Sequence, residues 1–235
     1  MRKLRMRLLG LALACGCALA GRAQAPAVPT TLPQVLAALD RAAPGIESVA
    51  ATAQVDDYTA LVQDTSTSQG KLYFRHDDHG PMYVLDLTTP QASARKLLYR
   101  DKTAYVYTPS AKQVMEYALG KQQPLVNQFL LLGMGATGEE LQKSFRIELQ
   151  PPETVGGVTM VHLRLTPLDA QLAGKLTHLD LWYDPHTWVA MVQQMWQPGG
   201  DYHRLTLSSV KLNSKLNDKL FSTDFHGATV VKPGQ

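Results

Sequence analysis

The sequence has few cysteines, few aromatic residues and no long hydrophobic run. Its 235 residues include only two cysteines, Cys15 and Cys17, which both lie near the N-terminus. If that segment is removed on export, the remaining chain has no cysteine, which excludes disulfide bonds and thiol catalysis. The first apolar run, residues 8–20, is shorter than the about 20 residues that a membrane-spanning helix needs. The fold must therefore be stabilised by its hydrophobic core alone.

Common catalytic motifs are also missing. The sequence contains no nucleophile elbow, no phosphate-binding loop and no HExxH motif. One cluster has metal-binding residue types, His76, Asp77, Asp78 and His79, but its spacing matches no common zinc pattern. A hydrolase or metal enzyme that uses these four residues is the weakest hypothesis, and we expect no enzyme activity, no metal and no cofactor.

Outside the N-terminal segment, basic side chains no longer outnumber acidic ones. Residues 1–25 hold five basic and no acidic side chains, so the net charge of +3 for the whole chain leaves −2 for the remainder. A domain with a slight negative net charge does not attract the phosphate backbone of a nucleic acid. We therefore expect no nucleic-acid binding.

The N-terminus has the pattern of an export signal. A basic segment, residues 1–7, precedes the apolar run, and small-residue cleavage sites end at Ala20 and Ala25. The sequence predicts a signal peptide over residues 1–20 or as far as 25, a flexible spacer over 21–30 and a single domain over 31–235. We expect a periplasmic protein, with acylation of Cys17 and a lipid anchor as the alternative.

An amphipathic helix is predicted after the spacer. Thr31 and Gln34 fit a capping box, in which Thr31 is the N-cap and Gln34 occupies position N3. One apolar stripe follows at helical spacing, and its members are Leu32, Val35, Leu36 and Leu39. Pro44 and Gly45 end the helix.

The pattern then changes to the alternation that is typical of β-strands. Eleven segments with turn residues between them have strand character: residues 47–63, 71–75, 82–87, 96–99, 103–107, 113–117, 145–149, 158–165, 176–183, 189–196 and 204–212. Short strands at hairpin spacing predict a mostly β fold, an incomplete antiparallel barrel or curved half-barrel. Val161, Leu163 and Leu165 alternate with polar residues, so one face of the sheet is predicted to be apolar and the other polar.

A hydrophobic segment interrupts the strands. Residues 124–133 predict a helix that is apolar on all sides, followed by a second capping box at Thr137 and Glu140. Such a helix is either part of the core or a lid over an apolar ligand, and the sequence leaves both interpretations open.

The order of these motifs resembles the LolA-like family of outer-membrane lipoprotein carriers. The resemblance rests on residues 70–75, 82–90 and 100–109, and it continues through residues 163–167, 179–184 and 210–213. Together with the capped N-terminal helix and Phe221, it spans roughly Leu32 to Val231. It implies an open barrel whose helices form a lid over an apolar concave face.

The resemblance also implies a function. Carriers of this family bind the acyl chains of lipoproteins non-covalently and move them from an inner-membrane lipoprotein-release complex to an outer-membrane receptor. The residues predicted to line the cavity are Leu72, Phe74, Tyr83, Leu85, Leu87, Tyr105 and Tyr107. The predicted lid helix contributes Leu125, Val126, Phe129, Leu130 and Leu132, and the N-terminal helix contributes Leu32, Val35, Leu36 and Leu39. We expect a monomer.

One departure from the family concerns an arginine that helps to close the lid. Here the arginine is Arg75, one position earlier than in the family, and a shift of one residue in a strand changes the face. Binding or sensing of another lipid or glycolipid in the same cavity is therefore the alternative function.

Overall fold

The computed structural model describes residues 28–77, 80–120 and 132–233. The predicted signal peptide, Cys15 and Cys17 lie outside these ranges, as do Leu125, Val126, Phe129 and Leu130 of the predicted lid. Within them, no helix is long and apolar enough to cross a membrane.

Strands dominate the described chain. They are β1 (Ser48–Thr59), β2 (Asp64–Asp77), β3 (Gly80–Thr89), β4 (Arg95–Arg100), β5 (Thr103–Thr108), β6 (Gln113–Ala118), β7 (Phe145–Leu149), β8 (Glu153–Val155), β9 (Val158–Pro167), β10 (His178–Tyr183), β11 (Ala190–Trp196), β12 (Tyr202–Leu212) and β13 (Thr229–Val231). The α-helices are α1 (Leu32–Ala42), α2 (Gly138–Ser144) and α3 (Ala170–Ala173).

These strands form one open, curved sheet. The pairing order is β13-β6-β5-β4-β3-β2-β1-β12-β11-β10-β9-β7, and β8 adds to β9. The two end strands, β13 and β7, do not pair with each other, so the sheet does not close into a barrel. The predicted fold, an incomplete and mostly antiparallel barrel, is confirmed.

The two halves of the chain meet in the middle of the sheet. Strands β1 to β6 form a meander of hairpins, and β1 then pairs antiparallel with β12, with Val49 opposite Leu212. The predicted strands are present, but β2 begins at Asp64 and is longer than predicted. Strands β8 and β13 were not predicted, because three-residue strands carry almost no alternation signal.

The first predicted capping box is only partly present. Thr31 is the N-cap of α1, but its side chain makes no capping hydrogen bond. The Gln34 side chain instead accepts a hydrogen bond from the backbone N–H of Thr30, with an N–O distance of 3.2 Å. The predicted capping hydrogen bond of Thr31 was therefore wrong, whereas the predicted start of the helix was right.

The second capping box is present in full. The Glu140 N–H donates to the Thr137 hydroxyl at 3.1 Å, and the Glu140 carboxylate accepts from the Thr137 N–H at 3.0 Å. Helix α2, which follows, packs tightly on α1: the Gly138 N–H donates to Asp40 at 2.7 Å, and a Cβ at Gly138 would lie 2.9 Å from the Leu36 Cβ. Only glycine allows the two helices to approach this closely.

Candidate functional site

The concave face of the sheet has two halves with different coverings. We call the concave surface of β7, β9 and β10 the filled half. There α1, α2 and residues 132–136 pack on the sheet and form a core, with Leu163, Leu165 and Leu181 at its base. We call the concave surface of β1 to β5 and β12 the open half. Among the described residues, its covering is incomplete and a cavity remains.

The cavity has a volume of about 520 Å³, within the range of small-molecule sites. Its wall is mainly apolar and consists of Val55, Tyr83, Leu85, Leu87, Leu97, Val106, Leu132, Met134, Leu179, Met195 and Leu205. The remaining lining residues are Asp57, Arg95, Gln193, His203 and Arg204. Such a cavity suits a ligand with a long apolar part.

Three of the predicted cavity residues line the cavity. Tyr83, Leu85 and Leu87 alternate along β3, so all three point to the concave side. Burial raises the pKa of the Tyr83 phenol, which therefore stays neutral in the cavity wall.

Two further predicted residues lie on the concave face but not at the cavity. Leu72 and Phe74 of β2 are both 0% exposed and pack into one cluster with Val49, Ile46 and Met134. They form the core beneath the cavity wall. Neither contributes to the lining.

The prediction for Tyr105 and Tyr107 needs correction. Both residues lie on the outer face of β5, where they pack against Phe225 with ring-centroid distances of 6.0 and 5.3 Å. Their neighbour Val106 points the other way and lines the cavity. The C-terminal segment covers this part of the outer face, so aromatic residues there are packed too.

The end of the predicted lid segment is held against the sheet. Leu132 is buried and lines the cavity, and its carbonyl accepts a hydrogen bond from the Tyr183 hydroxyl. The next carbonyl, of Gly133, accepts from the Ala190 N–H at 2.8 Å. Leu132 therefore lies at the boundary between the two halves.

The N-terminal helix lies on the filled half. Val35 and Leu39 are fully buried in the core, while Leu32 and Leu36 are half-buried and pack against its edge. The helix therefore covers the filled half as part of the core, and its residues do not line the cavity.

A charged cluster lies at one side of the cavity. Arg95 Nη2 is 3.1 Å from a carboxylate oxygen of Asp57, and His203 Nδ1 contacts the other oxygen of the same carboxylate. We call these three residues the polar rim. Asp57 and His203 are directly opposite each other on β1 and β12, whereas Arg95 belongs to β4, with β2 and β3 between. The ion pair therefore crosses the concave side of two strands.

The structure places Arg75 away from the cavity. Its side chain lies on the outer face, 4.9 Å above the Phe221 ring, and pairs with Asp218 at 2.7 Å. It holds the C-terminal segment against the back of the sheet. This agrees with the expected change of face from the one-residue shift.

A second polar cluster lies on the outer face behind the filled half. Asp180 of β10 is only 3% exposed and accepts hydrogen bonds from Arg164 at 2.9 Å and Trp196 at 3.1 Å, with His162 Nε2 also 3.1 Å away. Burial alone raises its pKa, but the hydrogen bonds and charges of His162 and Arg164 outweigh this and lower the pKa to about 2. The cluster ties β9, β10 and β11 together.

The residues of the metal hypothesis are only partly described. His76 is exposed, and a carboxylate oxygen of Asp77 lies 3.7 Å from Nε of Arg75. Asp78 and His79 lie outside the described residues. Nowhere in the described ranges do three His, Cys, Asp or Glu side chains form a group that could hold a metal ion.

Comparisons with known proteins identify the fold. No family model and no curated protein matches the sequence. Similar solved structures include an uncharacterised conserved protein from Thermus thermophilus, with 10% identity, a TM-score of 0.52 and coverage of 85% of this chain and 98% of the other. They also include the MucA/MucB complex of Pseudomonas aeruginosa, with 16% identity, a TM-score of 0.50 and coverage of 84% of this chain and 64% of the matched one.

A LolA superfamily protein from Nitrosomonas europaea is also similar, with 15% identity, a TM-score of 0.41 and coverage of 84% of this chain and 100% of the other. At these identities the likeness concerns the fold. For the two structures with TM-scores of 0.50 or more, it extends over 84–85% of this chain.

Proposed function

We propose that this chain is a periplasmic carrier that binds the acyl chains of lipoproteins non-covalently and moves them from the inner to the outer membrane. The apolar cavity of the open half is the observation that supports this proposal. Each methylene group transferred from water into such a cavity contributes about 0.8 kcal/mol. A wall that consists mainly of apolar side chains suits a ligand that is held non-covalently.

The place of action follows from the predicted export signal. A periplasmic carrier would receive its cargo from an inner-membrane lipoprotein-release complex and deliver it to an outer-membrane receptor. A protein partner is consistent with the structural neighbour MucB, which was solved in complex with MucA. The resemblance to LolA-like carriers supports the same assignment.

A cavity-filling variant tests acyl binding directly. In Val106→Trp the indole would occupy the cavity, and we expect it to abolish uptake of a fluorescent acyl probe. Tyr107→Trp is the matched control, because it introduces the same side chain at the next position, on the outer face. Equal uptake by both variants would contradict the proposed binding site.

The lipoprotein cargo is tested in cells. Depletion of the protein is expected to leave outer-membrane lipoproteins in the inner membrane, and lipoproteins are expected to co-purify with the exported chain. Normal sorting, with no lipoprotein in the purified sample, would contradict the carrier function.

A second candidate is the binding or sensing of a free lipid or glycolipid. The polar rim favours it, because charged side chains beside an apolar cavity match an amphiphile with its own polar headgroup. Mass spectrometry of extracted ligands separates the two functions: free lipid without lipoprotein would support the second.

A further inference from the structure

The polar rim places the hydrogen-bond donors of Arg95 and His203 beside an apolar cavity. Arg95 reaches Asp57 through Nη2 alone, and neither Nε nor Nη1 of Arg95 has a hydrogen-bond partner among the described residues. An arginine has five N–H donors in a planar fork, so it can keep this bond and still bind a second anion. Side chains of apolar residues, among them Leu87 and Leu97, line the same cavity.

His203 has a similar arrangement. Its Nδ1 faces the Asp57 carboxylate, which can only accept, so the proton of the neutral ring lies on Nδ1. Nε2 points away from that bond, and it becomes a second donor when the ring is protonated.

Asp57 positions both basic side chains without burying them. The side chains of Arg95 and His203 are 43% and 45% exposed, whereas that of Asp57 is 24% exposed. Ion pairs with this exposure contribute little to stability, so rearranging them around a new anion costs little. The carboxylate thus holds two basic groups in place at the side of the cavity.

From this geometry we infer that the polar rim binds the anionic headgroup of an amphiphile whose acyl chain lies in the cavity. The headgroup bonds to Arg95 and lies beside His203, while the chain lies along Leu85, Leu97 and Val106. The ligand class is an acyl compound with a carboxylate or a phosphate group. The inference rests on the proposed acyl binding and specifies the ligand of the second candidate function.

Three probes with the same tail test the inference. Pyrene-labelled dodecanoic acid, its methyl ester and pyrene-labelled dodecyl phosphate differ only in their headgroups. We expect the wild-type protein to bind the acid or the phosphate about tenfold more tightly than the neutral ester, since a hydrogen bond to a charged group contributes on that scale. The stronger of the two anionic probes identifies the headgroup.

Variants locate the headgroup site. Arg95→Gln is expected to remove most of the preference for the anionic probes. Binding of the ester should fall much less, because the ester has no charge for Arg95 to pair with. Arg146→Gln is the matched control, because Arg146 is an exposed arginine on β7, away from the cavity. Its probe affinities are expected to equal those of the wild type.

The outcomes separate this inference from the proposed function. Equal binding of acid, phosphate and ester by the wild type would overturn headgroup recognition and leave acyl binding intact. An equal loss for all three probes in Arg95→Gln would also overturn it, because it would show a general effect on the cavity. Binding of no probe by the wild type would overturn acyl binding itself, and the inference with it.

Discussion

The filled half and the open half of the concave face are built from the same kind of strand, with apolar residues at alternate positions. In the filled half, Leu163 and Leu165 are 0% exposed because α1, α2 and residues 132–136 pack on them. In the open half, Leu85 and Leu97 point to the same side of the sheet but are only half-buried. The strands supply an apolar surface in both halves, and the covering segments decide which part becomes core and which becomes a site.

The largest expected effect is in the filled half. Leu163→Ala removes a fully buried side chain from a packed cluster and is expected to lower the free energy of unfolding by about 2–5 kcal/mol. Denaturant unfolding followed by fluorescence measures this loss. At temperatures where the variant stays folded, acyl-probe affinity should match the wild type, and a large change in affinity would contradict the separation of the two halves.

The outer-face cluster behind the filled half makes stability depend on pH. The pKa of Asp180 is about 2 in the folded protein, below its ordinary value of 3.8, so its stabilisation is present above pH 4 and is lost as the pH falls toward 2. The difference corresponds to about 2 kcal/mol.

Asp180→Asn tests this assignment. The variant should be less stable than the wild type at neutral pH, since Arg164 and His162 lose their shared carboxylate. Its stability should fall less between pH 4 and pH 2, which unfolding curves at several pH values will show. The same acid dependence in both proteins would mean that Asp180 does not carry it.

The smallest expected effect on stability is in the open half. Leu85→Ala shortens a half-buried side chain that already borders a cavity, so we expect a loss of only about 1 kcal/mol. The same change removes contacts to an acyl chain and is expected to weaken probe binding about five- to tenfold. A large loss of stability with unchanged probe affinity would show that Leu85 belongs to the core.

Much of the fold was predictable because alternation is a local property. The strand pattern, α1 and the capping box of α2 follow from residues close together in the sequence, and the apolar face of β9 and β10 was identified correctly. The thirteenth strand and the C-terminal segment behind the sheet depend on contacts between distant parts of the chain. No local pattern reports those contacts.

The site was predictable only in part, for a related reason. Strand β5 has apolar or aromatic residues at consecutive positions, Tyr105, Val106 and Tyr107, so alternation alone does not choose which face borders the cavity. The segment that decides it contains Phe225, far away in the sequence. Leu72 and Phe74 lie on the predicted face of the sheet, but they do not line the cavity. They are buried in one cluster with Ile46 and Met134, which come from other segments.

One residue of the polar rim, Asp57, is recognisable from the alternation pattern of β1. Along β1 the apolar residues at alternate positions run from Val49 to Val55, and the next residue of that series is Asp57. A charge at a position that otherwise faces the apolar side is unusual. Its partners, Arg95 and His203, come from other strands and are recognisable only once the sheet is formed.

The pairing of β1 with β12 has a consequence for how each new copy is made. A chain that emerges from its N-terminus can form the hairpins of β1 to β6 early, but the second neighbour of β1 arrives only after β7 to β11 have been made. Until then one side of β1 exposes a row of unpaired backbone N–H and C=O groups, which can pair with another chain. Pairings between distant segments are also slow to form. The exposure of this central edge therefore lasts from the emergence of β1 until β12 docks on it.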